Sequence, residues 1–365
     1  MILMNAFQDE PEELKAAMHL AVRKVIDSGW YILGPQVEEL ESQWASKCGL
    51  PYAIGVGNGM DAIELILRGL DIGPGDEVIT TAMTAFPTVL AIIRSGATPV
   101  LADIDPETAL LSINSVRRCL SSRTRAIVLV HLYGQISQME EWVNFASEKN
   151  IYLIEDCAQS HLATDEGVCA GGFGVAGAYS FYPTKNLGAL GDAGMVVTRD
   201  QALAERIQKL RNYGQSERYH HPEIGMNSRL DEIQAAILIE RLKFLDQFTD
   251  ARINIAKQYI KRISNSAIEN QKPAKLNSHV YHLYILRSQN RSDLQAHLKQ
   301  QGVQSLIHYP IPLHRQESVK NIAKDPLGLL AAEAHANSCL SLPCHPQLSA
   351  LEVETVIEAV NSFEI

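Results

Sequence analysis

The sequence predicts an α/β protein with a mostly parallel β-sheet, followed by a smaller C-terminal α+β unit. Seven short apolar runs alternate with helical patterns between residues 52 and 198. Most of these runs are continuously apolar, which is typical of strands buried on both faces of a sheet. After Asp200 long amphipathic patterns take over. We therefore expect a large domain over residues 1–245 and a small domain over residues 246–365.

The large domain is predicted to alternate strands and helices with right-handed crossovers. The seven strands are YAIGVG (52–57), EVITTA (77–82), TPVLADI (98–104), AIVLVHLY (126–133), YLIEDCA (152–158), AGAYSF (176–181) and GMVVT (194–198). Helices between them include MDAIELILRGL (60–70), FPTVLAIIRSG (86–96) and MEEWVNFASEKN (139–150).

Helical patterns continue through 203–214 and 229–263. The second stretch contains no Pro or Gly, so the sequence allows either one long helix or two with a break. The small domain is predicted to contain a strand at 279–287 and helices at 291–302 and near 349–361.

Composition excludes several classes of protein. The formal net charge of −10 over 365 residues argues against a broad nucleic-acid surface. No apolar run reaches the roughly 18 residues of a membrane span, and the N-terminus lacks the pattern of a signal peptide. The six cysteines form no C-x-x-C pair. We expect a cytoplasmic protein with no structural metal and no nucleic-acid or membrane partner.

A glycine-rich segment, GVGNGMDAI (55–63), follows the first predicted strand and opens a helix. Such a turn suits an anion held by the amides of a helix N-terminus. A dinucleotide fingerprint fails here, because Met60 stands where its third glycine is required. A tight turn without a ligand is the remaining alternative.

Two charged residues are expected to meet at one edge of the sheet. Asp156 ends a buried strand, where ligands of open α/β sheets bind, although it could instead cap the next helix. Lys185 lies in the turn after the following strand, within SFYPTKNLGALGDAG (180–194). This lysine is a surface charge, a phosphate clamp or a carbonyl-reactive nucleophile.

Together these segments supply what pyridoxal phosphate (PLP) needs: a phosphate cup, a Schiff-base lysine and an acid for the pyridinium nitrogen. The cup would be Gly59, Met60 and Ser180, with Lys185 as the lysine and Asp156 as the acid.

At this point the chain resembles the DegT family, the PLP-dependent nucleotide-sugar aminotransferases of fold type I, whose large domain has a seven-stranded sheet. The resemblance covers nearly the whole chain. Its motifs include SGWYILGPQVEELE (28–41), GNGMDAI (57–63), GATPVLADID (96–105), HLYGQ (131–135), EDCAQ (155–159), SFYPTKNLGALGDAG, RNYGQSERYHHPEIGMNSRLDEIQAAIL (211–238), YPIPLHRQ (309–316) and SLPCHP (341–346).

The resemblance implies roles for individual residues. Lys185 would bind the cofactor covalently and move the proton, and Asp156 would pair with the pyridine nitrogen. Gln159 would lie near the ring hydroxyl. Asn227 would reach the phosphate of the other subunit of a homodimer, so that the active sites are shared.

The same resemblance suggests residues that contact the substrate. Tyr182 would face the substrate or pack in the core, and Arg218 and Tyr219 would contact a diphosphate or lie on the surface. His308 and His314 stand in a proline-rich segment that is either a substrate loop or a structural one. We interpret His220 and His221 as a solvated loop, because adjacent side chains point apart.

Two positions depart from the family pattern. An aromatic residue usually stacks on the cofactor in T-[FYW]-x-[AS]-T, but this chain has TAFPT with Ala85 at that place and Phe86 beside it. Many relatives read EDCAQ-x-HG, whereas this chain has Leu162 instead of the glycine. The residue that covers the ring face is therefore left open.

The motifs are most similar to enzymes that aminate carbon 3 of a keto-deoxy sugar. The expected reaction is amino transfer from L-glutamate, leaving 2-oxoglutarate, to a dTDP-linked 3-keto-6-deoxyhexose, with pyridoxamine phosphate as the intermediate carrier. A 4-keto or UDP-linked sugar is the nearest alternative. A PLP-binding regulator without catalysis and an NAD-dependent sugar oxidoreductase are alternatives of other classes. The product could serve an O-antigen lipopolysaccharide, another surface polysaccharide or a glycosylated natural product.

Overall fold

The computed structural model describes residues 1–275 and 277–364. Its strands are β1 (Tyr52–Val56), β2 (Glu77–Thr81), β3 (Thr98–Ala102), β4 (Thr124–Val130), β5 (Tyr152–Asp156), β6 (Thr164–Asp165), β7 (Val168–Cys169), β8 (Ala176–Ser180), β9 (Gly194–Thr198), β10 (Glu269–Asn270), β11 (Tyr284–Arg287), β12 (Ala323–Lys324) and β13 (Cys339–Leu342).

The α-helices are α1 (Glu12–Ser28), α2 (Pro35–Cys48), α3 (Gly59–Gly69), α4 (Phe86–Arg94), α5 (Ile113–Cys119), α6 (Met139–Lys149), α7 (Gln201–Leu210), α8 (Glu232–Leu242), α9 (Leu245–Arg262), α10 (Arg291–Gln300), α11 (Leu330–Ser338) and α12 (Ala350–Asn361). None of the helices in the described ranges is both long enough and apolar enough to cross a membrane.

The main sheet has the order β1-β9-β8-β5-β4-β2-β3-β12. All seven predicted strands are confirmed, and β9 is antiparallel to both of its neighbours while the other pairs are parallel. The eighth strand, β12, was not predicted: it comes from the C-terminal part of the chain and pairs with β3. Two residues with no apolar run around them give no period-2 signal.

The sheet is buried on both faces, as its apolar strands predicted. In β4, Ile127 and Leu129 pack into one hydrophobic cluster, and Ala126 and Val128 pack into the cluster on the opposite face. Successive side chains of a strand point to opposite faces, so a strand covered on both faces needs an unbroken apolar run.

The stretch 229–263 forms two helices. The chain turns between α8 and α9 at Lys243 and Phe244, although neither Pro nor Gly marks the break. The predicted strand at 279–287 is shorter than expected, since only Tyr284–Arg287 pair in a three-stranded sheet with β10 and β13. Tyr281 has a φ of 46°, which is incompatible with an extended strand. The domain boundary at 245/246 stays a prediction.

Glu232, at the start of α8, binds the N-terminus of α2 from across the chain. Its carboxylate is buried and accepts the amides of Gly34, Gln36 and Val37, each at 2.9 Å. The first amides of a helix have no partner within the helix, and a carboxylate satisfies both their hydrogen bonds and the helix dipole. This contact fixes α2 against α8.

Glu232→Ala should lower the free energy of unfolding by about 2–4 kcal/mol, because it leaves three amides at a buried helix end without their acceptor. Urea unfolding followed by circular dichroism measures the change. The matched control is Glu240→Ala on the same helix, which removes only an ion pair with the exposed Lys243 and should cost less than about 1 kcal/mol. Equal losses in the two variants would contradict the proposed capping role.

Candidate active site

The carboxyl ends of β5 and β8 meet at one edge of the main sheet. These strands are parallel neighbours, and Asp156 pairs in register with Ala178. A cavity of about 360 Å³ opens there, between the sheet edge and the N-terminal ends of α3 and α4. It is lined by Asn58, Gly59, Met60, Ile63, Ala85, Pro87, Thr88, Asp156, Ala158, Ser180, Tyr182, Lys185 and Asp192.

Asp156 is buried, and two donors hold its carboxylate in the cavity wall. Thr88 donates its hydroxyl to Oδ2 at 2.9 Å, and the amide of Ala158 donates to Oδ1 at 3.1 Å. Burial raises the pKa of Asp156, while these donors and the charge of Lys185 oppose the rise. A cationic N–H entering the cavity would stabilise the ionised carboxylate further.

Lys185 lies half-buried in the turn after β8. Burial lowers the pKa of its amine to about 8, and the Asp156 carboxylate opposes that change. At neutral pH a useful fraction of the amine is therefore unprotonated, as attack on a carbonyl carbon requires.

The N-terminus of α3 faces Ser180 across the cavity wall. Asn58 caps the helix by accepting the amide of Asp61 at 2.9 Å, and Gly59 and Met60 occupy its first positions. A Cβ on Gly59 would lie 2.6 Å from the Cβ of Ser180, so only glycine permits this approach. Two helix N-terminal amides beside a hydroxyl form a site that suits a phosphate.

Gln159 is buried next to this cavity. Its Oε1 accepts the amide of Tyr133 at 2.6 Å, and its Nε2 donates to the hydroxyl of Tyr309 at 3.1 Å. Burial and the charge of Asp156 raise the pKa of Tyr309 to about 12. The amide is thus held in one orientation, and Tyr309 is brought to the site without having been predicted.

The predicted substrate residues are not brought together. Tyr182 lines the cavity and is about half exposed, but Arg218 and Tyr219 lie on an exposed loop outside the cavity lining. His314 is buried and contacts Glu333 at 2.7 Å. His308 contacts the Ser341 hydroxyl at 2.7 Å, and burial lowers its pKa to about 4.

Asn227 is exposed and does not line the cavity of its own chain. Its backbone pairs with Asn212, in the segment that also contains Arg218 and Tyr219. His220 and His221 lie in this exposed segment as well, and each contacts a neighbouring loop residue.

The structure shows where the two departures from the family pattern lie. Ala85 lines the cavity, whereas Phe86 packs partly buried against a hydrophobic cluster that contains Val89 and Leu101. Leu162 has a φ of 58°, the left-handed conformation in which glycine is least strained, and its side chain packs against the large core cluster.

Thr88, Ala158 and Asp192 are three of the cavity residues that the sequence prediction missed. Thr88 was recognisable only as the end of TAFPT, and nothing in the local pattern indicated that its hydroxyl would bind Asp156. Asp192 stands seven residues after Lys185 in the glycine-rich turn, where a charged side chain among small residues is the signal that indicates it. Ala158 contributes its backbone amide, which no side-chain pattern reveals.

A second group of ligand-type side chains lies beneath the site. Atoms of His131, Glu155 and Cys157 are within 4.8 Å of one another and fully buried. The Glu155 carboxylate already contacts His131 at 2.9 Å and accepts the amides of Gly171, Phe173 and Gly174 at 2.8 Å. This carboxylate therefore anchors the 171–174 loop beside Asp156.

A lysine with a lowered pKa, a buried aspartate and a phosphate-sized cradle on this sheet define a PLP-dependent aminotransferase of fold type I. Comparison with known proteins identifies the family: the chain matches the DegT/DnrJ/EryC1/StrS aminotransferase family over residues 12–361 and belongs to it. The resemblance predicted from the sequence is confirmed.

A relative from Aneurinibacillus thermoaerophilus, a dTDP-3-amino-3,6-dideoxy-α-D-galactopyranose transaminase, is 45% identical over 94% of each chain. Among solved structures, Streptomyces venezuelae DesV in complex with a ketimine intermediate is 40% identical, with a TM-score of 0.95 over 99% of this chain and 97% of the other. NtdA from Bacillus subtilis, crystallised with bound pyridoxamine phosphate, is 28% identical, with a TM-score of 0.92 over 99% of this chain and 84% of the other. The protein is thus a PLP-dependent sugar aminotransferase.

Gly59→Ala should weaken PLP binding about 5- to 150-fold, because relieving the contact with Ser180 costs about 1–3 kcal/mol and displaces the first amides of α3. Equilibrium dialysis against PLP measures the change in Kd. Gly73→Ala is the control, since its new Cβ would be less crowded, with the Ser95 carbonyl oxygen 3.3 Å away, and Gly73 lies outside the cavity. An unchanged Kd in Gly59→Ala would show that α3 does not form the phosphate cradle.

Lys185→Met should stabilise the cofactor-free protein at pH 7 by on the order of 2 kcal/mol, since burial disfavours the ammonium form. The unfolded lysine titrates near 10.5 and the folded one near 8, so the gain is complete below pH 8 and disappears by about pH 10.5. Urea unfolding at several pH values tests this. Lys243→Met serves as the control, because it removes a lysine at an exposed position. A gain that does not change with pH would contradict the lowered pKa.

Proposed function

We propose that this protein transfers the amino group of L-glutamate to carbon 3 of a dTDP-linked 3-keto-6-deoxyhexose, which yields the 3-amino sugar nucleotide and 2-oxoglutarate. The observation that carries the proposal is the meeting of Lys185 and Asp156 in one cavity beside the N-terminus of α3. The name of the Aneurinibacillus relative supports carbon 3 and the dTDP carrier.

The residues of the cavity fit PLP. The amides of Gly59 and Met60 and the hydroxyl of Ser180 would hold its phosphate, and Asp156 would accept the pyridinium N–H. Gln159 would lie near its ring hydroxyl, with the orientation of its amide fixed by Tyr133. When bound, PLP supplies an electron sink that stabilises the carbanion formed at an amino-bearing carbon.

Lys185 is the residue that would hold the cofactor covalently in the resting enzyme. A free Lys185 Nζ would act as a base, and its lowered pKa suits it to take the proton from Cα of glutamate. In the second half-reaction the same Nζ delivers a proton to carbon 3 of the sugar, so one residue serves both substrates. This sequential use of one site predicts ping-pong kinetics.

The donors Thr88 and the Ala158 amide favour the ionised form of Asp156, which is the form that pairs with a pyridinium N–H. Tyr182 and Asp192 stand at the cavity wall, where a sugar would enter. Ala85 leaves that wall without an aromatic side chain at the place where the family usually has one.

We further propose a cytoplasmic homodimer in which Asn227 binds the phosphate of the partner's cofactor. Asn227 is exposed and outside its own cavity, as a residue that serves a second subunit must be. Arg218 and Tyr219 lie on the same exposed loop, so they would contact the diphosphate of a sugar nucleotide in the partner's site. His308 and His314 would then keep structural roles.

Incubation with glutamate and a panel of 3-keto and 4-keto dTDP- and UDP-sugars tests the proposed function. Mass spectrometry and NMR of the products should place the new amine on carbon 3 of a dTDP sugar. Lys185→Ala should lower turnover by at least about 100-fold, because it removes both the covalent link and the proton carrier.

Each other outcome of this assay corrects one part of the proposal. Amination only at carbon 4, or only of UDP sugars, would contradict the assigned substrate but not the aminotransferase chemistry. Exchange of amino groups between glutamate and 2-oxoglutarate without any sugar product would show that none of the tested sugars is the amino acceptor. A yellow, borohydride-reducible protein that exchanges no amino group would instead support a regulatory role.

A further inference from the structure

A small second cavity lies on the other side of Lys185. It has a volume of about 30 Å³, enough for one or two water molecules or one ion of about the size of chloride. Lys185 lines both this cavity and the larger one, so its side chain separates them. The N-terminal segment lines the small cavity with Ala6 and Glu10, and α8 and α9 contribute Arg241 and Arg252.

Arg252 is a buried guanidinium without an acidic partner. It is only 6% exposed, and its Nη1 donates to the backbone carbonyls of Tyr281, His282 and Cys344. Its Nε has no hydrogen-bond partner. Within residues 1–275 and 277–364, no carboxylate lies within ion-pair distance of it. The three carbonyl dipoles thus stabilise Nη1, but no negative charge balances the guanidinium.

The other arginine of the cavity shows the contrast. Arg241 is equally buried, but it forms an ion pair with Glu10 and donates to the carbonyl of Gly188 at 2.7 Å. Glu10 is therefore already neutralised and does not balance Arg252. Asp156 lines the larger cavity and is not among the residues that line the small one.

The imidazoles around the small cavity do not supply the missing charge either. His345 lines it, and His282 contacts the cavity residue Asn186 at 3.1 Å. Burial lowers the pKa of both histidines, and the positive charge of Arg252 lowers them further. A neutral imidazole accepts a hydrogen bond but provides no negative charge.

Burying a charge without a partner is costly, so buried charges in proteins are paired with an opposite charge. Water in the small cavity would solvate Arg252 only in part, whereas an anion would balance its charge and also face the Lys185 amine. The cavity is too small for a carboxylic acid of the size of glutamate.

We propose that the small cavity is a binding site for one monovalent inorganic anion of about the size of chloride, held by the Arg252 guanidinium next to Lys185. Binding of the anion is independent of the proposed sugar substrate. Its effect on the reaction rests on the proposed function, since the anion would face the amine that Lys185 frees during turnover.

The test is the melting temperature of the holoenzyme as chloride rises from zero to about 200 mM, with gluconate keeping the ionic strength constant. Gluconate is too large for the cavity, so a specific site should raise the Tm by about 1–2 °C in chloride alone. Bromide soaked into crystals should give an anomalous peak in contact with the Arg252 guanidinium.

Three variants separate this site from general salt effects. Ala6→Val fills the cavity without removing a charge, and Arg252→Gln removes the guanidinium; both should lose the chloride-dependent rise. Arg291→Gln is the matched control, because Arg291 also binds a backbone carbonyl and has an unpartnered Nε but lies outside the cavity. It should keep the full rise.

Two results would overturn the proposal. One is a wild-type Tm that is the same in chloride and gluconate, which would mean that the cavity holds water. The other is a chloride-dependent rise that persists in Ala6→Val, which keeps both arginines and so tests the cavity even if Arg252→Gln does not fold. These readouts need no turnover, so they succeed or fail separately from the sugar assay.

Discussion

The burial of an amine beside a buried carboxylate, at the edge where two parallel strands end, is the constraint on which the arrangement around the main sheet depends. Lys185 and Asp156 both prefer water, and each gains from the other only if the chain holds them rigidly. The sheet provides that rigidity: β5 and β8 are adjacent, and both are covered on both faces. Burying Lys185 lowers the stability of the folded protein but makes the amine reactive. A fully solvated lysine would be protonated and inert at neutral pH.

Supporting contacts fix this pair from several parts of the chain. Thr88 on α4 orients the carboxylate, and Glu155 holds the 171–174 loop beside it through three amides. Gly59 brings α3 close to Ser180 because it has no side chain. The contacts of Thr88 and Glu155 pair buried polar groups with defined partners, so Asp156 and the 171–174 loop are held in place before the cofactor binds.

Much of this arrangement could be predicted from the sequence, and the reasons are local. The seven strands were recognisable because burial on both faces demands unbroken apolar runs, and Asp156 and Lys185 because strand ends carry function in such sheets. Contacts between segments that are far apart in the sequence leave no local sequence pattern. Glu232 binds Val37 across 195 residues, and Thr88 binds Asp156 across 68. The break between α8 and α9 was not predictable either, since neither Pro nor Gly marks the end of the first helix.

The pairing of β12 with β3 has a consequence for how the two parts of the chain depend on each other. A chain that ended at residue 245 would lack β12, and the outer edge of β3 would present unpaired backbone amides and carbonyls to solvent. Exposed sheet edges recruit strands from other molecules, so such a fragment would tend to aggregate even if its core were intact. Two residues of the C-terminal region thus act as a cover that keeps the catalytic sheet from extending into a neighbouring molecule.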